Sequence, residues 1–458
     1  MDMYCIQKQK STSPHTAIAP TSSSPVAASR RSQPHPPQPH TAFHQSLYSP
    51  SMEGLPAEFV VNILSRLAVK KIIHCKCVCK KWLGLISHSY FDNLRLSRSP
   101  PTLLIHHNSV GYDRNSNQPG ILTWVEVEDD LDHHHLHHDP LMNLNLNLSP
   151  IFQESSTLLL GSVDGMVYLW QEHKDNSYIC NPISREYMIL PPPPKTYYHQ
   201  KGLGPPTIII TSCFGVGSVT KKYKVIRIAQ QLNPLRLSEA EVYTLGTHGQ
   251  WRSPSPGNVP YWLGGGHHGT FLNGHAHWII FDKYSSEKKI YVFDFDNEIF
   301  KLFPSPPIGD IEDSQISHKS LAVLKGCLCQ SNANSGSLDF TFWVMKEYGI
   351  KESWHKELVI NENIDRYLGG VSWQPIHPIE HLRDGTILMV RFGEREYLFS
   401  CDGTVLMVRS GEKLFVYSSE GGTIADTDYG FDHCFTAVAY RPSFLKLRNF
   451  ESERVYVL

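Results

Sequence analysis

The stretch LPAEFVVNILSRLAVKKIIHCKCVCKKWLGLISHSYF, Leu55–Phe91, decides how the chain is divided. Phe59, Ile63, Leu64 and Leu67 recur at intervals of three and four residues, the period of one side of a helix. Val69 to Ile73 opens a second apolar run, and Val78, Trp82, Leu85 and Ile86 make a third stripe. About three short helices of this length bury too little surface for a deep core of their own. Their remaining apolar face needs a partner. The segment reads as a docking module and not as a catalytic one.

The order and spacing of these residues resemble the F-box. That family opens on Leu-Pro, here Leu55 and Pro56, with an acidic residue close by, here Glu58. It continues with Ile-Leu-x-Arg-Leu, here Ile63, Leu64, Arg66 and Leu67. It ends on Val-Cys-Lys-x-Trp, here Val78, Cys79, Lys80 and Trp82, followed by Leu85, Ile86 and Phe91. One departure is Ala68, where plant members usually carry proline. The resemblance implies that the segment binds a Skp-type adaptor and through it a cullin, as part of an SCF-type ubiquitin ligase. The adaptor-binding positions it implies are Leu55, Pro56, Glu58, Ile63, Leu64, Leu67, Val69, Ile72, Val78, Cys79, Trp82 and Leu85. Pro56 suits the first turn of a helix, where its missing N–H is no loss. The helices would lie in a groove of the adaptor. Trp82 is either the anchor of that interface or a residue holding the helices together, and both roles suit a buried indole.

Composition bounds the rest. The chain has 458 residues and a formal net charge of −2, so no net positive field draws it to nucleic acid or to anionic lipid. No apolar run approaches the ~18 residues of a membrane-spanning helix. The 10 cysteines do not form a secreted disulfide pattern in a chain this long, and reduced thiols in nucleus or cytoplasm are expected.

Residues 1–51 are crowded with Ser, Thr, Pro, His and Gln and contain one acidic residue, Asp2. Such a tail does not offset the entropy of ordering its backbone, so disorder is expected. Its prolines interrupt any amphipathic helix of the kind an organellar transit peptide needs. A second low-complexity insert, 126–149, contains the run HHHLHH (His133 to His138). Neutral imidazoles ligate zinc or nickel, yet this run has no frame of supporting residues and reads as a solvated loop.

From about residue 100 onward the pattern turns to β structure, with short apolar segments separated by Gly, Pro, Asn and Ser. GMVYLW (from Gly165), GHAHWIIF (from Gly274), GCLCQ (from Gly326) and GTILMVRF (from Gly385) each place a glycine before an apolar strand. Each is followed by a second hairpin, in several cases closed by proline. The period is loose, roughly 50 to 65 residues, close to the longer propeller repeats. No such unit buries both faces alone, and radial stacking solves the edge problem. A kelch-like β-propeller of about six blades is expected, where a β-sandwich would explain the strands but not the echo. The fold class is therefore α+β and multidomain: a small all-α F-box at 52–95, then a mainly β domain at 100–455. The two are expected to have separate cores.

The β half resembles the F-box-associated domain of plant F-box proteins. The marks are CNPISREYMILPPP (Cys180 to Pro193), FGVGSVTKKYKVIRI (Phe214 to Ile228), AEVYTLGTHGQWRS (Ala240 to Ser253) and FLNGHAHWI (Phe271 to Ile279). Gly217 departs from the pattern, since an aspartate is common there. In that family the domain selects the protein destined for ubiquitin.

Catalytic motifs are weak by comparison. LGGGHHG (Leu263 to Gly269) lacks the Lys-Ser/Thr that completes a P-loop. Cys75, Cys77 and Cys79 are two apart within an expected helix, so they diverge from any one metal. His275 and His277 share a strand face, either lining a cavity or satisfied by neighbours. No Gly-x-Ser-x-Gly elbow or His-Glu-x-x-His is present. No catalytic residue, metal or cofactor is assigned. Two functions remain open: a substrate adaptor, and a small-ligand sensor or enzyme with a pocket in the propeller and the F-box as a regulatory handle. Deleting residues 1–51 is expected to leave adaptor binding unchanged in a pull-down, and loss of binding would refute the dispensability of that tail.

Overall fold

The computed structural model describes residues 54–99, 102–107, 121–125, 157–171, 175–194, 208–231, 237–247, 249–254, 259–260, 269–281, 288–309, 316–334, 339–360, 376–381, 387–401, 404–418, 423–426, 435–450 and 454–457. The tail 1–51, the insert 126–149 and Gly385 lie outside them.

Four helices come first: α1 (Ala57–Leu64), α2 (Val69–Cys75), α3 (Lys80–Ile86) and α4 (Ser89–Arg98). Three were expected, and α4 is the addition. Its buried Arg95 donates through Nη1 to the carbonyls of Ser65 (3.2 Å) and Leu67 (2.7 Å), groups left open where α1 ends. Pro56 stands immediately before α1 in an extended conformation, so its lack of an N–H costs nothing. The cysteine run does not lie within a helix as expected. Cys75 ends α2, and Cys79 precedes α3, where its Sγ accepts the Trp82 N–H at 3.5 Å in place of the usual capping oxygen. The apolar side expected for α1 is divided as well. Val60, Val61 and Leu64 are buried, whereas Phe59 and Ile63 face outward. A helical step of ~100° puts the 60/64 and 59/63 pairs on adjacent stripes.

The strands follow as successive hairpins. β1 (Thr102–His107) pairs antiparallel with β2 (Ile121–Val125). A blade of β3 (Thr157–Val163), β4 (Met166–Gln171), β5 (Asn176–Asn181) and β6 (Glu186–Ile189) comes next. It is followed by β7 (Ile208–Val216), β8 (Tyr223–Gln231) and β9 (Leu237–Thr244), to which Arg252 adds a bridge at Val242. The next two blades are β10 (Thr270–Leu272) to β13 (Ile299–Phe303), through β11 (His275–Phe281) and β12 (Lys288–Asp294), and β14 (Ile316–Leu324) to β17 (Trp354–Ile360), through β15 (Cys327–Asn334) and β16 (Phe340–Met345). β18 (Ile376–His381), β19 (Ile387–Cys401), β20 (Thr404–Ser418) and β21 (Thr423–Asp426) form one further ladder. β22 (Phe435–Tyr440) then returns to β1 along its whole length, and β23 (Val455–Val457) adds a fifth strand to the β3–β6 blade. Closing the ring with strands from both ends of the domain hides the sheet edge that an open array would leave.

Among the described residues the domain is a β-propeller of five blades, not about six. The last expected unit does not separate, because β20 is hydrogen-bonded to β22 at Gly411↔Phe435 and to β7 at Thr404↔Ile208. Its two 15-residue strands span roughly 50 Å at ~3.3 Å per residue, well beyond a blade strand.

Local chemistry explains the echo. Asp164-Gly165, Asn273-Gly274 and Lys325-Gly326 each form a two-residue turn with both φ values positive, between 49° and 79°. That is the type I′ hairpin, whose twist matches that of the strands it joins. The second hairpins repeat too. Asn181 Oδ1 accepts the N–H groups of Ile183 (2.9 Å) and Ser184 (3.3 Å), and Asp294 Oδ1 those of Asp296 (2.9 Å) and Asn297 (3.1 Å). Each Asx turn ends on a positive-φ residue, Arg185 or Glu298. The closing prolines serve as acceptors. Trp251 Nε1 donates to the Pro191 carbonyl (2.7 Å) and Trp354 Nε1 to that of Pro304 (3.1 Å), tying each blade to the one before.

The expectation of separate cores fails. One apolar cluster contains Val60, Leu64, Val69, Ile72, Ile86 and Phe91 of the helices together with Leu104, Trp124, Leu169, Tyr178, Tyr187, Tyr440 and Phe444 of the β domain. The helices are too small to bury their own apolar faces, and the gap beside β1 and β4 supplies what they lack.

Gly165 and Gly326 allow the turn strain to be separated from close packing. A Cβ at Gly165 would meet Ser443 Cβ and N at 2.6 Å, whereas at Gly326 it would meet open space. Gly326→Ala is expected to cost about 1–2 kcal/mol from its φ alone, and Gly165→Ala roughly 2–4 kcal/mol. Equal losses in urea melts of the two variants would contradict the packing at Ser443.

Candidate functional site

The helical module presents an apolar surface that the propeller does not cover. Phe59 is 60% exposed, Ile63 45%, Val78 62% and Leu83 45%. Phe59 and Ile63 are four apart on α1 and form one stripe, while Val78 and Leu83 come from the α2–α3 turn and α3. Lys70, Lys71, Lys80 and Lys81 belong to the same helices, and Glu58 is the acidic residue of α1. Exposed apolar side chains accompanied by lysines on a small helical unit are the mark of an interaction surface.

The twelve residues singled out in the sequence fall into three groups. Pro56, Glu58, Ile63 and Val78 are exposed. Leu55, Leu67, Trp82 and Leu85 are half-buried and pack against the shared core cluster, and half-buried Cys79 caps α3. Leu64, Val69 and Ile72 are fully inside. Trp82 packs one part of its surface on the core, the second of the roles the sequence left open, and leaves the rest in solvent. Phe59 and Leu83 were missed. The signal for Phe59 was its spacing from Ile63. For Leu83 it was only adjacency to Trp82.

The propeller encloses a central channel of about 460 Å³, lined by the inner strands and their turns, among them Ser162, Cys213, Thr270, Asn273 and Tyr440. Its ionisable lining among the described residues is Asp164, Cys213, Tyr440 and Arg441. Asp164 Oδ2 is already engaged, accepting the Tyr223 O–H at 2.9 Å. Burial pushes the phenols of Tyr223 and Tyr440 and the thiol of Cys213 upward, so all three are held protonated. A nucleophile needs the opposite shift. Elsewhere the titratable groups that burial displaces are scattered. Asp92 of α4 is pushed up to about 6 and Glu241 of β9 to about 6, in different parts of the molecule. Among the described residues no group of three or more His, Cys, Asp or Glu side chains is placed to hold a metal ion. HHHLHH and all of LGGGHHG except Gly269 lie outside the described residues.

His275 and His277 are structural. His277 is buried, its Nδ1 bonded to the Thr270 carbonyl (2.9 Å) and its Nε2 to the Tyr348 hydroxyl (2.8 Å), which joins one blade to the next. Burial lowers its imidazole to about 4, so it is neutral near pH 7. Gly217, the departure from the family pattern, has a similar explanation. Asp296 of the adjacent blade supplies the carboxylate, accepting from the N–H groups of Val219 (3.0 Å) and Thr220 (2.8 Å) and the hydroxyls of Ser218 (2.9 Å) and Thr220 (2.7 Å). A side chain at 217 would collide with it. Burial alone would raise the Asp296 carboxyl, but these four donors hold it below the usual range.

Comparison with known proteins matches this architecture. A family model described as "F-box associated beta propeller domain" matches residues 129–371, and an "F-box-like" model matches residues 52–92. F-box protein At3g07870 of Arabidopsis thaliana is 26% identical over 363 residues, covering 74% of this chain and 80% of that protein. F-box/kelch-repeat protein At3g23880 of the same plant is 24% identical over 360 residues, covering 78% and 90%. Among solved structures, an exo-beta-1,3-galactanase from Phanerochaete chrysosporium aligns with 8% identity and a TM-score of 0.32, over 59% of this chain and 66% of that one. Among the described residues no helix is long and apolar enough to cross a membrane.

The depressed His277 value sets a pH dependence. The unfolded imidazole takes its proton near pH 6.5 and the folded one near 4, so this contribution is complete above pH 6.5 and is lost as pH falls toward 4. Asp92, raised in the fold, acts with the opposite sign in part of that window. The comparison that isolates His277 is therefore wild type against His277→Gln. The variant should lose about 3 kcal/mol of pH-dependent stability change between pH 6.5 and 4 in urea melts, and parallel curves would refute the buried neutral state.

Proposed function

Because the chain belongs to the F-box-associated β-propeller family and carries an F-box-like segment ahead of that domain, we propose that it is the substrate-recognition subunit of an SCF-type ubiquitin ligase. In this reading the helical module docks a Skp-type adaptor, a cullin follows through that adaptor, and the propeller holds the protein to be ubiquitinated. Residues 52–95 and 100–455 divide the two tasks, and the protein works in the nucleus, the cytoplasm or both. The observation that carries the reading is the uncovered apolar face of Phe59, Ile63, Val78 and Leu83 on helices whose other face is already buried. Exposed residues would make the contact, and half-buried Leu55 and Trp82 would form its edge. Leu64, Val69 and Ile72 would act from beneath by holding the helices in place. The lysines of these helices favour an acidic partner surface and an association that weakens with salt.

The chain contributes proximity and not chemistry. Holding client and ubiquitin donor in one assembly raises their effective concentration, while the transfer itself belongs to other subunits. The sensor or enzyme alternative needs converging ionisable groups in the channel, and the described lining offers a carboxylate already hydrogen-bonded and a thiol and a phenol that burial holds protonated.

Binding of the purified full chain to a Skp-type adaptor, measured by calorimetry, tests the assignment. Phe59→Ser with Ile63→Ser should weaken binding by roughly 10-fold or more without unfolding the chain, since both side chains face solvent. Leu55→Ala with Pro56→Ala should cost at least ~1–2 kcal/mol of affinity. Wild-type affinity in both variants would sink the docking face, and absence of binding by the wild type would sink the ligase reading.

A further inference from the structure

The residues from Tyr440 to Phe450 leave the innermost strand β22 and run between the helical module and the β3–β6 blade before β23 joins that blade's edge. Their contacts alternate between the two bodies. On the blade side, Tyr440 O–H donates to the Gly165 carbonyl (3.3 Å) and Ser443 O–H to the Asp164 carbonyl (2.7 Å). Asn181 Nδ2 donates to the carbonyls of Ser443 (3.2 Å) and Leu445 (2.7 Å), and the Leu447 N–H donates to Glu186 Oε2 (2.7 Å). On the helix side a hydrogen bond, a ring contact and a cation contact meet at one residue. The Phe444 N–H donates to Asp92 Oδ1 (3.0 Å), its ring lies 6.3 Å from that of Phe91, and Lys76 Nζ sits 4.0 Å above its centroid.

We propose that this segment is a strap that fixes the angle of the adaptor-docking helices against the propeller, with Phe444 and Asp92 as its positioning residues. Neither residue touches the exposed face of Phe59 and Ile63, so neither is needed for the adaptor contact itself. Asp92 is 5% exposed and Phe444 3%, so the junction is dry. A carboxylate buried there is stabilised by the one N–H that comes from the strap and by nearby Lys76 and Lys446, and removing it leaves a buried donor unpaired. Three different interactions converge on the Phe444 position, a hydrogen bond, a ring contact and a cation over the ring face. Together they oppose sliding, rotation and separation of the helices. Ubiquitin transfer within such an assembly depends on a fixed distance between client and donor, so a loose hinge would lower productive encounters without altering either binding step.

The role rests on the docking reading above, yet the strap can be tested independently of it. The experiment uses the full chain carrying a donor–acceptor dye pair at exposed positions 71 and 351, introduced as non-natural amino acids, with single-molecule energy transfer read with and without a Skp-type adaptor. The wild type should give one narrow transfer peak in both conditions. Asp92→Ala and Phe444→Ala should broaden or split it, with adaptor affinity retained. Asp92→Asn, which keeps an oxygen to accept the Phe444 N–H, should restore the narrow peak. If Phe444→Ala fails to fold, the Asp92→Ala and Asp92→Asn pair still decides. A broad peak in the wild type, or a narrow one in Asp92→Ala, would overturn the strap. Failure of the wild type to bind adaptor would remove the docking reading and leave the peak width of the free chain to judge the strap.

Discussion

The docking helices of this molecule depend on one apolar cluster that neither they nor the propeller completes alone. Val60, Leu64, Ile72 and Phe91 project from short helices, and Trp124, Leu169, Tyr178 and Tyr440 come from the sheet beside them. Helices of seven to ten residues are marginal in water, because their few hydrogen bonds scarcely offset the entropy of ordering them. What holds them is burial against a preformed wall. The same burial decides which apolar residues remain outside, and so it shapes the docking face by subtraction.

The propeller satisfies its own constraint by a different route. Each blade must hide an apolar face on both sides, and the ring achieves this only if neighbours are locked together at defined points. The Trp251–Pro191 and Trp354–Pro304 bonds, the His277–Tyr348 contact and the Asp296 clasp on residues 218–220 are such points. All are polar and between blades. Apolar packing sets how near the blades come, and these bonds set their register.

Local features of the fold were legible in the sequence and long-range ones were not. Gly165, Gly274 and Gly326 announce their turns because a positive φ at a glycine after a polar residue is a property of two adjacent positions. Asn181 and Asp294 repeat for the same reason. The helical module was readable from the order of Leu55, Arg66, Val78 and Trp82. The blade number was not, since the fate of β20 depends on pairings with Phe435 and Ile208, far off in the chain. Nor was the division of α1 into inward and outward stripes, which follows from what lies against it. The Asp92–Phe444 bond joins residues 352 apart, and no periodicity carries that information. Of the candidate site, the identity of the docking helices was visible, while the choice between Phe59 and Leu64 as the outward residue was not.

The late position of Phe444 in the chain has a consequence for biosynthesis. The helical module emerges from the ribosome first, but Tyr440 and Phe444, which cover its inner face, are made more than three hundred residues later. At ~5–20 residues per second the module waits for tens of seconds with the cover of Val60, Leu64 and Ile72 incomplete. During that interval the outer apolar face is open and the inner one lacks its last cover, and a holding factor that covers either one would protect the nascent chain. Pairing of β22 with β1 is an equally distant closure, with a correspondingly large loop entropy to overcome. Ring closure and maturation of the docking helices are therefore one late event in synthesis, so an incomplete propeller displays no finished docking surface.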